Sequence, residues 1–305
     1  MARVSCPGLH AAGIEVNMGN LFSHEDIRNT YEPITDHILT RDIILKYARN
    51  DRDIRDVALE GLDLSGVREA LDLGCGYGFF MERLGGRLHE GAGILGIDVI
   101  DRHNRDRFLQ TARSMDYRGT FIHGHADLIR DFETGRFDLI VASYSLYFFP
   151  HLVGEIARVL SKDGIFIAVT HSRYSLNEVT RFVPLCMEKA GIVPPGEIAI
   201  NRLFQAFSLE DGGEVLSRHF ASVERIVYPN TLLFPLEGVE DCVSYLDKKR
   251  HLIMKDVAET HPQKLEDMVL YFQGMLYEHA RLHGEVVITK DDAVFRCRSP
   301  FAERS

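Results

Sequence analysis

The chain of 305 residues has no tryptophan and only five cysteines. Cys6, Cys75, Cys186, Cys242 and Cys297 are widely spaced, and no two form a C-x-x-C pair. That pattern argues against a disulfide framework and a zinc knuckle, and it fits reduced thiols in a cytoplasmic compartment. Long apolar runs are also missing. Nothing approaches the length of a membrane span, and the opening MARVSCPGLHAAGIEVNMGN lacks the apolar stretch of a secretory signal. Basic runs stop at KKR, residues 248–250, in a chain of formal net charge -10. A nucleic-acid partner calls for a basic face, so neither nucleic acid nor membrane is expected. The rest is ordinary globular composition, 45% hydrophobic and 26% charged, sufficient for a sizeable core.

Hydrophobic periodicity divides the chain. Residues 1–20 carry no clear period and read as a loose arm. Ser23, followed by acids in SHEDIRNTY, marks a helix start, and ILTRDIILKYA (38–48) and IRDVALEGL (54–62) continue in helical period. The period then changes. VREALDL (67–73), AGILGID (92–98), GTFIHG (119–124), FDLIVAS (137–143) and GIFIAVTH (164–171) are short apolar runs. Between them lie helical segments such as VGEIARVL (153–160), where Ile156, Val159 and Leu160 share a face. Buried strands alternating with helices predict crossover units. The result is a doubly wound α/β fold, a mostly parallel sheet with helices on both faces.

The tail differs. SVERIVYPNTLLF (222–234) reads as one extended segment with Pro229 inside it, and EVVITKDDAVFRCR (285–298) as two strands about a KDD turn or hairpin. The sequence between them is helical. The expected organisation is an arm and helical cap over 1–66, a Rossmann-like core over 67–236, a helical insertion over 237–283, and final strands over 284–305 completing the core sheet. Insertions of this size above a sheet often carry specificity or act as lids. This one would serve a homodimer as readily as a pocket.

EALDLGCGYGFF, residues 69–80, ends the first strand in three alternate glycines, Gly74, Gly76 and Gly78. The carboxyl end of that strand is where an open α/β sheet has its binding crevice, and glycines there let a ligand approach the backbone. A dinucleotide fingerprint needs its third glycine at 79, where Phe79 stands, and a phosphate loop needs a Lys-Ser or Lys-Thr that is absent. Asp72, directly before the turn, disfavours a pyrophosphate and suits a ligand with a positive amino group.

These features together resemble the class I S-adenosylmethionine (SAM)-dependent methyltransferases of small-molecule type. LDLGCGYG is similar to their first motif, GILGIDV to the second, HGHADL to the third and FDLIVASYSLYFF to the fourth. IARVLSKDGIFIAV resembles the helix, turn and strand that come next in that fold. The match in order and spacing spans about residues 67–171, and the late strands match the sixth and seventh strands of the family more loosely. The resemblance implies a seven-stranded Rossmann-like sheet whose last strand is antiparallel, with added N-terminal helices and a helical insertion before that strand. It also implies methyl transfer from SAM to a small molecule, with S-adenosylhomocysteine (SAH) as product.

Carried over residue by residue, the resemblance places the methionine part of the cofactor at Asp72, Gly74, Cys75 and Gly76, with Gly78 letting the next helix pack close. Asp98 would accept both ribose hydroxyls, as a carboxylate can. Val99 and Ile100 would wall the adenine, with Ala126 near its ring and Asp127 at its amino group. Ser143 and Tyr144 would flank the sulfonium. Aromatic faces favour a cationic donor, and Tyr144, Tyr147, Phe148 and Phe149 are at hand. On the acceptor side, Tyr31, Tyr147, Phe148, Arg173 and Tyr174 are candidate contacts. His171 and Tyr147 are the catalytic candidates, with His151 a lesser base.

Plainer roles stand beside these. Asp98 and Asp127 both suit helix N-caps, the aromatics of SYSLYFF suit a core, and KKRH suits a solvated helix face. His123 and His125 alternate like a metal pair, but no third ligand stands at the right spacing, so no metal is expected. Three rivals remain: other chemistry with the same cofactor, a non-catalytic SAM-binding protein, and a nicotinamide oxidoreductase, the last disfavoured by Phe79.

Overall fold

The computed structural model describes residues 21–32, 34–101 and 103–301. Five runs read as buried strands are strands: β1 Glu69–Leu73, β2 Gly93–Asp98, β3 Arg118–His123, β4 Phe137–Ser143 and β5 Leu160–His171. They pair in parallel in the order β3-β2-β1-β4-β5. The order reverses between β1 and β4, and ligands of such sheets bind at that reversal, outside the carboxyl ends. β6 (Phe220–Tyr228) and β9 (Asp292–Pro300) extend the sheet to seven strands. β9 lies between β5 and β6 and is antiparallel to both.

Alternate residues of the central strands feed two separate cores, one on each face. Leu71, Leu73, Ile97, Ile140, Phe166 and Ala168 belong to one. Ala70, Ile94, Leu139, Val141, Ile165 and Ile167 belong to the other, with Phe108 and Ala112 of the helix His103–Ser114 packed on them. Burial on both faces explains why these strands read as continuous apolar runs rather than as alternating ones.

The late strands differ from their sequence reading. The segment 222–234 is not one strand. Pro229 has no N–H to continue a ladder, and the chain leaves the sheet there to form β7 (Thr231–Pro235). β8 (Glu285–Thr289) and β9 flank the KDD turn but do not pair as a hairpin. β8 pairs with β7 in a separate antiparallel ribbon. Both strands change sheets at one junction, where Lys290 N–H donates to Asn230 O at 3.0 Å and Asn230 N–H to the Asp291 carboxylate at 2.8 Å. Of the residues expected to complete the core sheet, those of β8 therefore lie outside it, as do those of β7.

Three N-terminal helices precede the sheet, α1 (His24–Tyr31), α2 (Ile34–Tyr47) and α3 (Ile54–Leu59). α1 begins with a capping box in which Asp26 N–H donates to Ser23 Oγ at 3.2 Å and Ser23 N–H to Asp26 Oδ2 at 2.7 Å. Between β7 and β8 run the helices Val239–Asp247, Arg250–Ile253, Lys255–Thr260 and Leu265–His283. Lys255 Nζ meets Asp26 at 2.6 Å, and Asp241 accepts from Lys46 Nζ and Tyr47 OH, each at 2.7 Å. These contacts tie the late helices to α1 and α2. Among the described residues no helix is long and apolar enough to cross a membrane. Residues 1–20, and with them the expected arm and Cys6, lie outside the described residues.

Candidate functional site

The carboxyl ends of β1, β2, β4 and β5 open onto a cavity of about 1120 Å³. Pockets for one drug-sized ligand run to roughly 300–1,000 Å³, so this one has room for two molecules side by side.

The glycine loop forms one end. Gly74 and Cys75 N–H both donate to Ile97 O, at 2.8 and 3.2 Å, tying the loop after β1 to β2. Gly74 and Gly76 have φ of 70° and 51°, in the left-handed region that glycine enters without a Cβ penalty. A Cβ on Gly74 would lie 2.5 Å from Ser145 Cβ, whereas one on Gly76 would meet no protein atom within 4 Å. Gly74 is thus where the loops after β1 and β4 pack together, and Gly76 leaves bare backbone facing the cavity. Gly74→Ala is expected to cost about 2–4 kcal/mol of stability from backbone strain and overpacking. Urea denaturation measures this, and a loss below about 0.5 kcal/mol, the range of a neutral surface change, would contradict the packing described.

Asp98, at the end of β2, accepts Gly76 N–H through Oδ2 and Ile100 N–H through Oδ1, both at 2.8 Å. A carboxylate offers about four lone-pair positions, so two remain for a pair of neighbouring hydroxyls. Asp72 is 5% exposed. Burial and the charge of Asp98 push its pKa up to about 7. Burial also raises Asp98, against the opposing pull of the Ile100 and Gly76 N–H groups. Two desolvated carboxylates in one wall call for a ligand with positive charge.

A carboxyl raised in the folded state adds stability at low pH that is lost as pH rises through about 7. A cationic ligand needs the ionised form. Its affinity is therefore expected to climb with pH, by up to about tenfold per unit, and to level off above about 7. Calorimetric titration across this range checks it, and Asp72→Asn should flatten the profile. An affinity that falls with rising pH would contradict the assignment.

A protein-family model described as a methyltransferase domain matches residues 71–168, from β1 into β5. This segment is a methyltransferase domain. No curated protein matches the chain. Among solved structures the chain is similar to the YcgJ protein of Bacillus subtilis, at 16% identity over 79% of this chain and 96% of that one, TM-score 0.49. It is also similar to a putative methyltransferase of Bacillus halodurans, at 15% identity over 81% and 99%, TM-score 0.47. A third likeness is to phosphoethanolamine N-methyltransferase 2 of Haemonchus contortus, solved with phosphomonomethylethanolamine and SAH. Identity there is 13% over 92% of this chain and 61% of that one, TM-score 0.49.

The residues at this end of the methyltransferase domain fit SAM. Asp72 suits an ammonium, Asp98 a ribose diol, and Gly76 a ligand lying against backbone. Val99, Ile100, Ala126, Ser143 and Tyr144 line the same cavity. Gly78 and Asp127 do not, and for Gly78 the role found is the helix packing expected of it. A Cβ on Gly78 would meet Met81 at 2.9 Å and Phe108 at 3.3 Å, so this glycine serves packing. The Asp127 carboxylate turns aside to His125, His151 Nε2 at 3.4 Å and Arg130 at 3.5 Å, because three basic groups surround it there. Gly124, His125 and Ala126 line the cavity in its stead. His123 Nε2 lies 3.1 Å from Val99 O. Among the described residues no group of three or more potential ligands could hold a metal.

Part of the cavity wall is aromatic, with Phe22, Tyr31, Tyr147 and Phe148 in it. His171, the last residue of β5, also lines it. Its Nδ1 lies 2.7 Å from Asp292 Oδ1. The other oxygen of Asp292 accepts from Tyr144 OH at 2.7 Å and from Lys290 Nζ at 2.8 Å. Asp292 is 1% exposed. Burial works against its charge, but Lys290 and His171 hold it below the usual carboxylate range. It is thus an acceptor, which places the His171 proton on Nδ1 and leaves Nε2 basic. Burial keeps His171 below its ordinary value even though Asp292 pulls the other way. The imidazole is fixed by the rings of Tyr144 at 4.6 Å and Phe204 at 5.0 Å. Tyr144 itself has φ of 55°, a strained value for a non-glycine residue, at the turn beside this pair.

Arg173 and Tyr174 are not brought to the cavity. Ser172 N–H donates to Asp291 O at 2.8 Å, which turns the chain away. Arg173 pairs with Asp211 and, at 3.8 Å, with Glu210, and Tyr174 is exposed to solvent. Asp292, Lys290, His37 and Lys249 are cavity residues that the sequence reading did not single out. Asp292 carried one overlooked signal. A last strand that runs antiparallel must start at the carboxyl edge, and the register sets Asp292 opposite His171.

Proposed function

We propose that this chain moves a methyl group from SAM to a small-molecule acceptor by in-line displacement, releasing SAH, with His171 as the general base. The observation that carries this reading is the continuity of the cavity. One space runs from Asp72, Gly76 and Asp98 to His171 and the aromatic wall. SAM, when bound, supplies a methyl group already activated on a sulfonium, so the protein's work is positioning and exclusion of water. Asp98 and Asp72 orient the ribose and amino ends, and Val99, Ile100 and Ala126 wall the adenine. Ser143 and Tyr144, in the lining of that space, would flank the sulfonium.

An acceptor hydroxyl would give its proton to His171 Nε2. Asp292 would stabilise the resulting imidazolium, with Tyr144 and Lys290 holding Asp292 in place. Tyr147 is unsuited to be a base, since burial and the neighbouring Tyr31 hydroxyl raise its pKa well above the usual phenol value. We assign it to the acceptor wall with Tyr31 and Phe148. The N-terminal helices and those between β7 and β8 would act as a cap, a role supported by Tyr31, His37 and Lys249 in the cavity lining. The buried thiols Cys75, Cys186, Cys242 and Cys297, all outside disulfides, support a reducing compartment. Incubation with methyl-labelled SAM and a small-molecule extract tests the proposal. SAH and one labelled small product are expected. SAH no higher than without extract would contradict it.

A further inference from the structure

Building on the methyl-transfer reading above, we propose that the acceptor carries a carboxylate and that Lys249 recognises it. Six arginine and lysine side chains of the described residues line the cavity. Arg41, Arg52, Arg55, Arg83 and Lys290 each lie within 3.3 Å of an aspartate or glutamate. Among the described residues Lys249 is the lining cation with no carboxylate partner. Its contact is the face of Tyr245, with the ammonium 5.0 Å from the ring centroid.

Its position is informative. Lys249 sits between the helices Val239–Asp247 and Arg250–Ile253, where the covering helices meet the cavity. Burial lowers the proton affinity of both His37 in α2 and His171 at the end of β5, and the Lys249 charge lowers it a little further. Lys249 lines the same cavity as His37 and His171, within electrostatic reach of both imidazoles. Burial and Lys290 push Lys249 down to about 8, against the pull of Asp292. A half-buried ammonium without a counter-charge is costly, and a ligand carboxylate placed here would offset that cost. One compact ammonium suits a monoanion. A phosphate site would be expected to present several donors or a forked arginine. The apolar walls, with Tyr147, Phe148 and Leu203, suit an aromatic or aliphatic body behind the acid group.

The test uses the full chain loaded with SAH and measures Kd for matched pairs: benzoate and benzamide, cinnamate and cinnamamide, octanoate and octanamide, with phenyl phosphate alongside. For at least one pair the acid is expected to bind about ten- to hundredfold more tightly than its amide, the worth of a hydrogen bond to a charged group. Lys249→Met should reduce that preference to within about twofold, while Lys249→Arg should keep most of it, since only the latter preserves the charge. SAH affinity should persist in both variants. The proposal is overturned if no acid binds the SAH-loaded protein, if acids and amides bind alike, if the preference survives in Lys249→Met, or if phenyl phosphate is preferred. Failure of the wild type to bind SAH would instead overturn the cofactor reading beneath it.

Discussion

Replacing His171 with alanine is expected to lower kcat about 10²–10⁴-fold, the usual worth of a positioned general base, with SAM affinity unchanged. The imidazole's hydrogen-bond and ring partners among the described residues are Asp292, Tyr144, Tyr147 and Phe204, so its removal should spare the glycine loop and Asp98. Its Nδ1 is held at 2.7 Å by Asp292, whose second oxygen is itself held by Tyr144 and Lys290. The base is thus oriented by a buried carboxylate that stays ionised. In the wild type, activity should fall as pH drops through a value below 6.5, because burial lowers the His171 pKa and the protonated form cannot accept. Asp292 raises that pKa, so Asp292→Asn should move the acid limb further down while reducing kcat. A purely structural role for Asp292 would leave the limb where it is. If His171→Ala retains wild-type kcat, the acceptor needs no base and this assignment is wrong.

The second large effect is expected at Asp98. Asp98→Ala should weaken SAM and SAH binding about a hundredfold or more, since two hydrogen bonds to a charged acceptor are lost. The carboxylate also holds Gly76 N–H and Ile100 N–H, so alanine additionally frees the backbone that the ligand would lie against. Asp98→Asn separates the two contributions. It keeps an oxygen for one backbone N–H but loses the charge and one acceptor, and should show an intermediate loss. Equal affinity in wild type and Asp98→Ala, with the variant folded by circular dichroism, would remove Asp98 from the site.

The parallel half of the fold was legible because burial on both faces writes itself into sequence as short apolar runs. FDLIVAS, read as residues 137–143, is β4 to the residue. The glycine loop and Asp98 were legible for a related reason, since a motif at a strand end needs only local geometry. The far half of the site was not legible. His171 was visible at a strand end, but its partner Asp292 lies 121 residues away and reads locally as part of a turn. Arg173 and Tyr174 follow directly on β5, whose carboxyl end opens onto the crevice. The hydrogen bond from Ser172 to Asp291 turns the chain aside. Asp127 failed because local charge decides its direction: His125, His151 and Arg130 compete for it. Lys249 read as part of a solvated basic cluster, and only the packing of separate helices over the sheet brings it to the cavity.

The glycine loop, Asp72 and Asp98 are proposed to hold SAM. Isothermal titration of the purified chain with SAM, SAH and NADH tests this most directly. Micromolar binding of SAM and SAH, and none of NADH, is expected. Binding of NADH with neither of the other two would contradict the proposal.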